Sequence, residues 1–132
     1  MKTSKADKYF SLFIRLRDSD ENGIGKCCTC SRYGLAKKFH NGHYIKRQHE
    51  ASRFSEINCN MQCPTCNKWE QGNDVEYRRF LVEKYGEEEI LWLELQKYKS
   101  HKLGAFELNV IAEKYIKKVN ELMKTKNIEK WW

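Results

Sequence analysis

Two Cys-x-x-Cys pairs are the residues of this sequence whose type and spacing point most directly to chemistry. The first pair is Cys27 with Cys30, and the second is Cys63 with Cys66. Two thiolates on one such turn can both reach a tetrahedral ion, and four of them form a closed structural zinc site. We therefore predict that these four cysteines hold a structural Zn2+ that is distinct from any catalytic ion.

The two other cysteines, Cys28 and Cys59, are expected to be small, buried or half-buried thiols. Cys28 leaves an ambiguity of register, since it also forms a shorter pair with Cys30, but the repeated x-x spacing favours Cys27. Six cysteines could instead form three disulfides. The first 18 residues contain no apolar segment followed by small residues, so nothing marks export. A reducing compartment favours metal-bound thiolates over disulfides.

The segment between the two pairs holds residues suited to catalysis. It is longer than the roughly 15–20 residues of a plain paired-Cys zinc module, and it carries three of the four histidines. His40 and His43 lie within four positions, next to Gly42, and a neutral imidazole is both a metal ligand and a general base near neutral pH. His49 has a more polar setting, and we expect it to be an ordinary hydrogen-bonded residue.

Two asparagines near the second pair are further candidates. Asn58 precedes Cys63 by five residues, and Asn67 follows Cys66 directly. Both asparagines could also be ordinary capping or turn residues. A zinc knuckle normally delivers its second cysteine into the start of a helix, which would bring Asn67 beside the segment that carries His43. We therefore expect the histidine and the two asparagines to converge.

Positive charge is concentrated on the same segment. The chain has a formal net charge of +7, and residues 26–54 alone account for +6, because they contain seven basic residues and only one acidic residue, Glu50. The seven are Lys26, Arg32, Lys37, Lys38, Lys46, Arg47 and Arg53. A basic run is often only a solvated face. Its position around paired thiolates and histidines favours a polyanion partner, since phosphate neutralisation drives nucleic-acid affinity.

Helices are expected on both sides of this segment. Apolar residues recur at helical spacing over residues 4–17, where Ser4 and Asp7 form an acidic variant of the capping box. Arg15 and Arg17 are expected to point away from the apolar stripe of this helix and to be available to phosphate.

The rest of the chain divides into an irregular part and a helical part. Residues 32–57 lack helical periodicity and suit a hairpin with irregular loops, and a short helix is expected to begin near Pro64. Further helices are predicted over 74–85, with Gly86 as the C-terminal stop, and over 87–99 and 105–127. These helices exceed what a small zinc module can cover, so they either wrap it or pair with another subunit. Trp131 and Trp132 end the chain, where fraying is common.

Several of these residues together resemble a known family. The residues concerned are Gly42-His43-Tyr44-Ile45, Arg53-Phe54, Glu56, Asn58, Gln62-Cys63, Cys66-Asn67, Gly72-Asn73 and, near the N-terminus, Ala6-Asp7, Phe10-Ser11 and Ile14-Arg15-Leu16-Arg17-Asp18. This pattern is similar to the NinG family of phage recombination proteins, also called Rap in lambdoid phages. The likeness covers residues 4–86 and is specific, because it combines two Cys pairs with an N-terminal signature.

That family is similar in turn to HNH, or ββα-metal, nucleases. The resemblance implies an α+β fold in which a zinc-stapled treble-clef/HNH ββα-metal module occupies residues 26–73. An N-terminal helix and loop over 1–25 would precede it, and a helical extension over 74–132 would follow. It also implies a structure-specific DNA endonuclease that cleaves branched recombination intermediates such as Holliday junctions and D-loops.

The resemblance assigns catalytic roles as well. His43 matches the general base, Asn58 the asparagine that braces the loop around the base, and Asn67 a ligand of the catalytic Mg2+ or Mn2+. HNH nucleases commonly have a metal-binding Asp or His directly before the base. This chain has Gly42 there, so the nearest candidate for a second ligand is His40.

Lys46, Arg47 and Arg53 lie close in sequence to the base and are candidates, with Arg15 and Arg17, for phosphate contacts. The expected partner is branched or duplex DNA, and a two-fold homodimer is geometrically attractive because resolving a four-way junction takes two opposed cuts. No run approaches the ~20 apolar residues of a membrane span. We therefore expect a cytoplasmic phage or prophage protein in a bacterial host, with no membrane partner.

Two other functions fit parts of the sequence. A non-catalytic zinc module that binds DNA or RNA, as a recombination mediator or regulator, explains the charge and the cysteines equally well. It does not require His43, Asn58 and Asn67 to occupy their relative places. The second alternative is an interaction protein that works through its C-terminal helices, which would show no nucleic-acid affinity even at low salt.

Overall fold

The computed structural model of the protein describes residues 3–132. In chain order its elements are helix α1 (Lys5–Arg17), strands β1 (Ile24–Lys26), β2 (Tyr33–Leu35), β3 (His40–His43) and β4 (Cys59–Gln62), a π-helical turn (Thr65–Trp69), helices α2 (Asp74–Tyr85) and α3 (Glu87–Leu95), a 3-10 turn (Gln96–Tyr98) and helix α4 (Ala105–Thr125). The predicted α+β class is confirmed.

Helix α1 begins as its sequence predicts. The Asp7 N–H donates to the Ser4 hydroxyl at 3.1 Å, and the Ser4 N–H donates to the Asp7 carboxylate at 2.8 Å. This reciprocal capping box satisfies two donors at the exposed start of the helix. The helix buries an apolar face that includes Phe10, Ile14 and Leu16.

The four strands form two separate antiparallel hairpins. Strand β1 pairs with β2, and β3 pairs with β4 so that His40 lies opposite Gln62. The hairpin expected within residues 32–57 is therefore wrong, because β2 and β3 both lie there but each pairs with a strand outside it. The first Cys pair lies in the turn between β1 and β2, where the Cys27 N–H donates to the Arg32 carbonyl at 2.8 Å. Such a short loop closes at low entropic cost.

Helix α4 folds back along α1. The ring centroid of Tyr115 lies 4.8 Å from that of Phe10 and 5.2 Å from that of Phe13, and Val119 is buried in the same cluster. The Tyr115 hydroxyl also donates to the Glu56 carboxylate at 2.7 Å, which ties α4 to the chain just before β4. Helix α4 therefore packs around the rest of this chain, which is one of the two roles expected for the helical extension.

Helices α2 and α3 form a second core against the segment that follows β3. Leu81 of α2 packs with Ile90 of α3 and with Ile45. The buried Tyr77 hydroxyl donates to the carbonyl of Gly42 at 2.6 Å. Helix α2 is therefore fastened directly to the strand that carries both candidate histidines.

The last residues of the chain return to the body of the protein. Trp131 and Trp132 are half-buried, and the ring of Trp131 covers the guanidinium of Arg15 at 5.8 Å from the ring centroid. The Asn127 N–H donates to the Glu21 carbonyl at 2.7 Å. The expectation of a frayed end is therefore wrong, because this segment buries aromatic surface. Within residues 3–132, no helix combines the length and the apolar character needed to cross a membrane.

Candidate metal and catalytic site

The four predicted zinc ligands meet at one point. The sulfur atoms of Cys27, Cys30, Cys63 and Cys66 all lie within 4.8 Å of one another, and Cys30 is the exposed member. Four sulfur donors so close together suit tetrahedral Zn2+. The cluster could therefore hold a structural zinc, as predicted. Cys28 is not part of it, which resolves the ambiguity of register in favour of Cys27.

The surrounding protein favours negative charge on one of these thiols. Burial opposes ionisation of Cys27, but hydrogen bonds from the Cys63 N–H at 3.3 Å and the Thr29 hydroxyl at 3.4 Å lower its pKa to about 6. Burial and the neighbouring thiols raise the pKa of Cys63 to about 12. A divalent ion would reverse that second effect, since coordination stabilises thiolates.

A cleft of about 670 Å³ lies between α1, β3 and the π-helical turn. His40, His43 and Asn67 all line it, so the structure brings together both candidate histidines and one of the two candidate asparagines. Asp7 and Ser11 of α1 line it as well. Both residues belong to the N-terminal signature of the family resemblance, but sequence analysis placed neither of them in a site. The signal was their spacing: together with Arg15 they recur every four residues, which places them on one face of α1.

His40 and Asn67 contact each other across one side of this cleft. The Asn67 amide nitrogen donates to His40 Nδ1 at 2.9 Å. Asn67 reaches this position because its N–H donates to the Cys63 carbonyl at 3.0 Å, which begins the π-helical turn directly at the second Cys pair. Burial lowers the pKa of His40, and the charges of Arg15 and Lys68 lower it further. His40 is therefore mainly neutral at neutral pH, but its Nδ1 lone pair accepts the Asn67 bond, so this bond must open before Nδ1 can bind a metal ion.

The imidazole of His43 is held by one hydrogen bond to the loop between β3 and β4. Its Nε2 donates to the Arg53 carbonyl at 2.9 Å. Burial lowers the pKa of His43, and this effect outweighs the Arg53 hydrogen bond and the Asp7 carboxylate, which raise it. A half-buried neutral imidazole with one nitrogen occupied leaves Nδ1 to accept a proton.

Asn58 lies behind the cleft and is completely buried. Its side-chain oxygen accepts from the Ile45 N–H at 2.7 Å, and its amide nitrogen donates to the carbonyls of Ile45 at 2.9 Å and Ser52 at 3.2 Å. These bonds tie together the two ends of the loop between β3 and β4. They fit the loop-bracing role that the resemblance implies for Asn58. The expectation that Asn58 converges with His43 and Asn67 in one site is corrected, because its buried amide faces the loop and not the cleft.

The five basic residues proposed for phosphate contacts divide into two groups. Arg15, Lys46 and Arg47 line the cleft, but the guanidinium of Arg15 also donates to the carbonyls of Ala36 at 3.3 Å and Phe39 at 3.4 Å. The side chain of Arg53 is only 5% exposed and pairs with Asp7. Arg17 donates to the carbonyls of Glu56 at 3.0 Å and Cys59 at 2.8 Å and pairs with Asp18. Phosphate contacts by Arg53 and Arg17, predicted from sequence, are disfavoured by these internal bonds. These bonds also direct Arg17 toward the chain around β4, so the outward direction expected for it on α1 is wrong.

The position before His43 has no room for a ligand. A Cβ atom on Gly42 would lie 2.2 Å from the side-chain oxygen of Gln62, which lies opposite His40 on β4, two residues beyond the partner of Gly42. Gln62 is itself fixed, since its amide nitrogen donates to the Thr29 hydroxyl at 3.1 Å and the Gly72 carbonyl at 2.8 Å. A second metal-binding side chain must therefore come from elsewhere.

Comparison with protein families places the chain among known relatives. The family model described as the bacteriophage lambda NinG protein matches residues 2–126. The chain belongs to the NinG family. The resemblance to NinG proteins read from the sequence is therefore confirmed.

Individual NinG proteins show the extent of the match. Protein ninG of Escherichia phage 933W is 31% identical over 124 residues, which cover 93% of this chain and 59% of that protein. Protein ninG of Salmonella phage P22 is 31% identical over 119 residues, covering 89% and 56%. Protein ninG of Escherichia phage lambda is 30% identical over 124 residues, covering 93% and 58%. This NinG-family chain thus matches somewhat more than half the length of these relatives. No solved structure matches it.

Proposed function

We propose that this protein is a structure-specific DNA endonuclease that cleaves branched recombination intermediates, such as Holliday junctions and D-loops, by metal-assisted phosphodiester hydrolysis. The observation that carries the proposal is the convergence of His43, His40 and Asn67 on one cleft that also has basic side chains. A general base, groups that can hold a divalent ion and positive charge are what phosphodiester hydrolysis requires.

The proposal includes an HNH-like ββα-metal module. Strands β3 and β4 are antiparallel and lead into a helical turn, which is the order of elements expected of such a module. Cys63 and Cys66 lie at the entry of that turn, where the Cys66 N–H donates to the Cys63 sulfur at 3.5 Å. Zinc at the cysteine cluster would stabilise the base of the module, and the reaction would take place in the cleft.

His43 is proposed as the general base. Because Nε2 donates to the Arg53 carbonyl, the lone pair on Nδ1 is the one that takes a proton from the attacking water. General-base catalysis of this kind contributes ~10²–10⁴-fold to the rate. The lowered pKa of His43, caused mainly by burial, keeps the ring neutral and ready to accept that proton at neutral pH.

His40 and Asn67 are proposed to hold the catalytic Mg2+ or Mn2+. Opening of the hydrogen bond between them would free His40 Nδ1, and the Asn67 amide oxygen could be the second ligand; two protein ligands leave positions for water and a substrate phosphate. When bound, the ion supplies charge neutralisation at the phosphoryl group and at the leaving 3′ oxygen. The expected products carry 5′-phosphate and 3′-hydroxyl ends.

Lys46 and Arg47 are proposed to bind the DNA backbone along the cleft, whereas Arg15, bonded to the carbonyls of Ala36 and Phe39, contributes its positive charge. Lys46 pairs with Asp74 at 3.0 Å, but both side chains are well exposed, at 39% and 56%. An exposed pair of this kind contributes only ~0–1 kcal/mol, so a phosphate can displace it. Contacts to phosphate position the nucleic acid without reading bases, which suits recognition of branch shape.

We further propose that two copies pair through α3 to make the two opposed cuts. Trp92 and Leu95 are 62% and 63% exposed on this helix. The helix begins with three glutamates and is followed by Lys97 and Lys99. Antiparallel packing of two copies about a two-fold axis would therefore bring Glu88 of one to Lys99 of the other.

Trp92→Glu should convert a dimer to a monomer in sedimentation velocity, and a monomeric wild-type protein would contradict this pairing.

Nicking of a labelled four-way junction tests the proposed activity. His43→Ala should reduce cutting in Mg2+ or Mn2+ by ~100-fold or more while junction binding is nearly unchanged. His101→Ala is the matched control, because His101 lies outside the cleft, where it pairs with Glu107. A His43→Ala protein that cuts at the wild-type rate would exclude His43 as the base.

A junction that stays intact would identify the competing functions. Binding without cutting in Mg2+, Mn2+ and Zn2+ would indicate a non-catalytic zinc-binding recombination mediator or regulator. A protein with no affinity for DNA or RNA even at low salt would instead indicate an interaction protein, since the basic segment predicts binding that weakens steeply with salt.

A further inference from the structure

A buried ion pair joins helix α1 to the loop between β3 and β4. Arg53 Nε donates to Asp7 Oδ1 at 3.0 Å, and Arg53 Nη2 donates to Oδ2 of the same carboxylate. The two side chains are only 5% and 8% exposed. A two-point pair between a guanidinium and a carboxylate fixes the relative orientation of both groups. The loop is therefore held to the first turn of α1 at this residue.

The same Arg53 holds His43 through its backbone. Its carbonyl oxygen accepts the hydrogen bond from His43 Nε2. A carbonyl can only accept, so the neutral ring must carry its proton on Nε2 and its lone pair on Nδ1. One residue thus connects a carboxylate on α1 with the tautomer of an imidazole on β3.

We propose that Asp7 is a positioning residue for His43, acting through Arg53: the carboxylate fixes the guanidinium, and the Arg53 carbonyl fixes the orientation and tautomer of the ring. This inference deepens the proposed function, because it rests on His43 being the general base. Without Asp7, Arg53 would retain Glu50 at 3.6 Å and the Phe54 ring at 5.1 Å. Neither contact offers two oxygens at hydrogen-bonding distance, so the loop would lose its fixed attachment to α1.

The charges around His43 allow positioning to be separated from protonation of the ring. Burial lowers the pKa of His43, and the cations of Arg47 and Arg53 lower it too, whereas the Arg53 carbonyl and the Asp7 carboxylate raise it. Asp7 also faces Arg47 at 3.6 Å. Removing the charge of Asp7 should therefore leave His43 neutral over a wider pH range. A loss of rate in such a variant cannot be a loss of the neutral base.

The decisive experiment is Asp7→Asn, followed by the side-chain 15N spectrum of His43 and by junction nicking. The signals of His43 are those that disappear in His43→Ala. At a pH above the pKa of His43, the wild-type protein should show an unprotonated Nδ1 and a protonated Nε2. In Asp7→Asn the two nitrogen shifts should move toward each other as both tautomers become populated. The kcat for nicking should fall roughly 10- to 100-fold with KM nearly unchanged.

Two further variants separate this role from a general weakening of α1. Ser4→Ala removes the hydroxyl that caps the helix and contacts Asp7, but it leaves the pair with Arg53 in place. Its tautomer and kcat should match the wild type. Arg53→Lys keeps the charge but cannot form the two-point pair, so it should reproduce the spectrum of Asp7→Asn.

A single Nε2–H tautomer in folded Asp7→Asn and Arg53→Lys proteins would overturn the proposal, whatever their cutting rates. Should the wild-type protein cut no branched DNA, the proposed endonuclease function would fail. The nitrogen spectra would still decide whether Asp7 positions His43.

Discussion

The cysteine cluster and the cleft share the β3–β4 hairpin and the turn after it, but they are held together in different ways. The cluster uses two local turns, each of which delivers a pair of sulfur atoms. The cleft instead combines His40 and His43 of β3 with Asn67 of the π-helical turn, and it depends on ties such as Asn58 and Asp7 behind them. A metal staple can thus be specified by spacing along the chain, whereas a reactive site requires long-range contacts.

Among the variants that test this difference, we expect the greatest loss of stability from a change in the cysteine cluster. Cys63→Ser should lose zinc and unfold much of the protein, because metal binding in small modules is largely folding free energy. Zinc content and the thermal unfolding curve would measure both losses. Cys28→Ser is the control, since this thiol lies outside the cluster and should leave both unchanged. A Cys63→Ser protein that unfolds at the wild-type temperature would show that the cluster is not a staple.

Asn58→Ala should have the next largest effect, because it removes three buried hydrogen bonds that close the loop. We expect the free energy of unfolding in urea to fall by roughly 2–3 kcal/mol. Asn22→Ala, at an exposed position, should change it little. Equal stabilities of the two variants would mean that the cleft does not depend on this brace.

His40→Ala should affect the cleft and spare the cluster. The Mg2+ or Mn2+ concentration for half-maximal nicking should rise ~10-fold or more, since one proposed ligand is lost. Zinc content and unfolding temperature should remain those of the wild type. If His40→Ala instead loses zinc, the cysteine cluster and the cleft are not independent sites.

The smallest expected effect is in the pH dependence. Burial lowers the pKa values of His40 and His43, so the unfolded chain binds protons before the folded protein does. The free energy of unfolding should therefore fall as pH drops below the ordinary histidine pKa of ~6.5. The acid limb of the nicking rate should also lie below that value. An acid limb at or above ~6.5 would contradict a buried His43 acting as the base.

Features set by neighbouring residues were predictable from the sequence. The Ser4 and Asp7 capping box formed as expected. Gly86 ended helix α2 with a φ of 92°, a backbone conformation that favours glycine. The spacing of the cysteine pairs likewise needed no knowledge of the rest of the fold, because each pair lies on a single turn.

Features set by distant residues were not predictable. Arg53 and Arg47 look alike in the sequence, but only Arg53 meets Asp7 in a buried pair. Gly42 was recognisable as an unusual residue before the base, yet only the structure shows that Gln62 fills the space of a side chain there. Burial separates basic residues that serve folding from those that can meet phosphate, and burial depends on the whole chain.

The packing of α4 on α1 also bears on the order of synthesis. The ribosome makes α1 before α4, yet Tyr115, which packs against both Phe10 and Phe13, lies far later in the chain. The wall of the cleft that α1 provides therefore stays without its support until α4 has emerged. A nascent chain stalled before residue 105 would expose this apolar stripe and offer chaperones a binding surface.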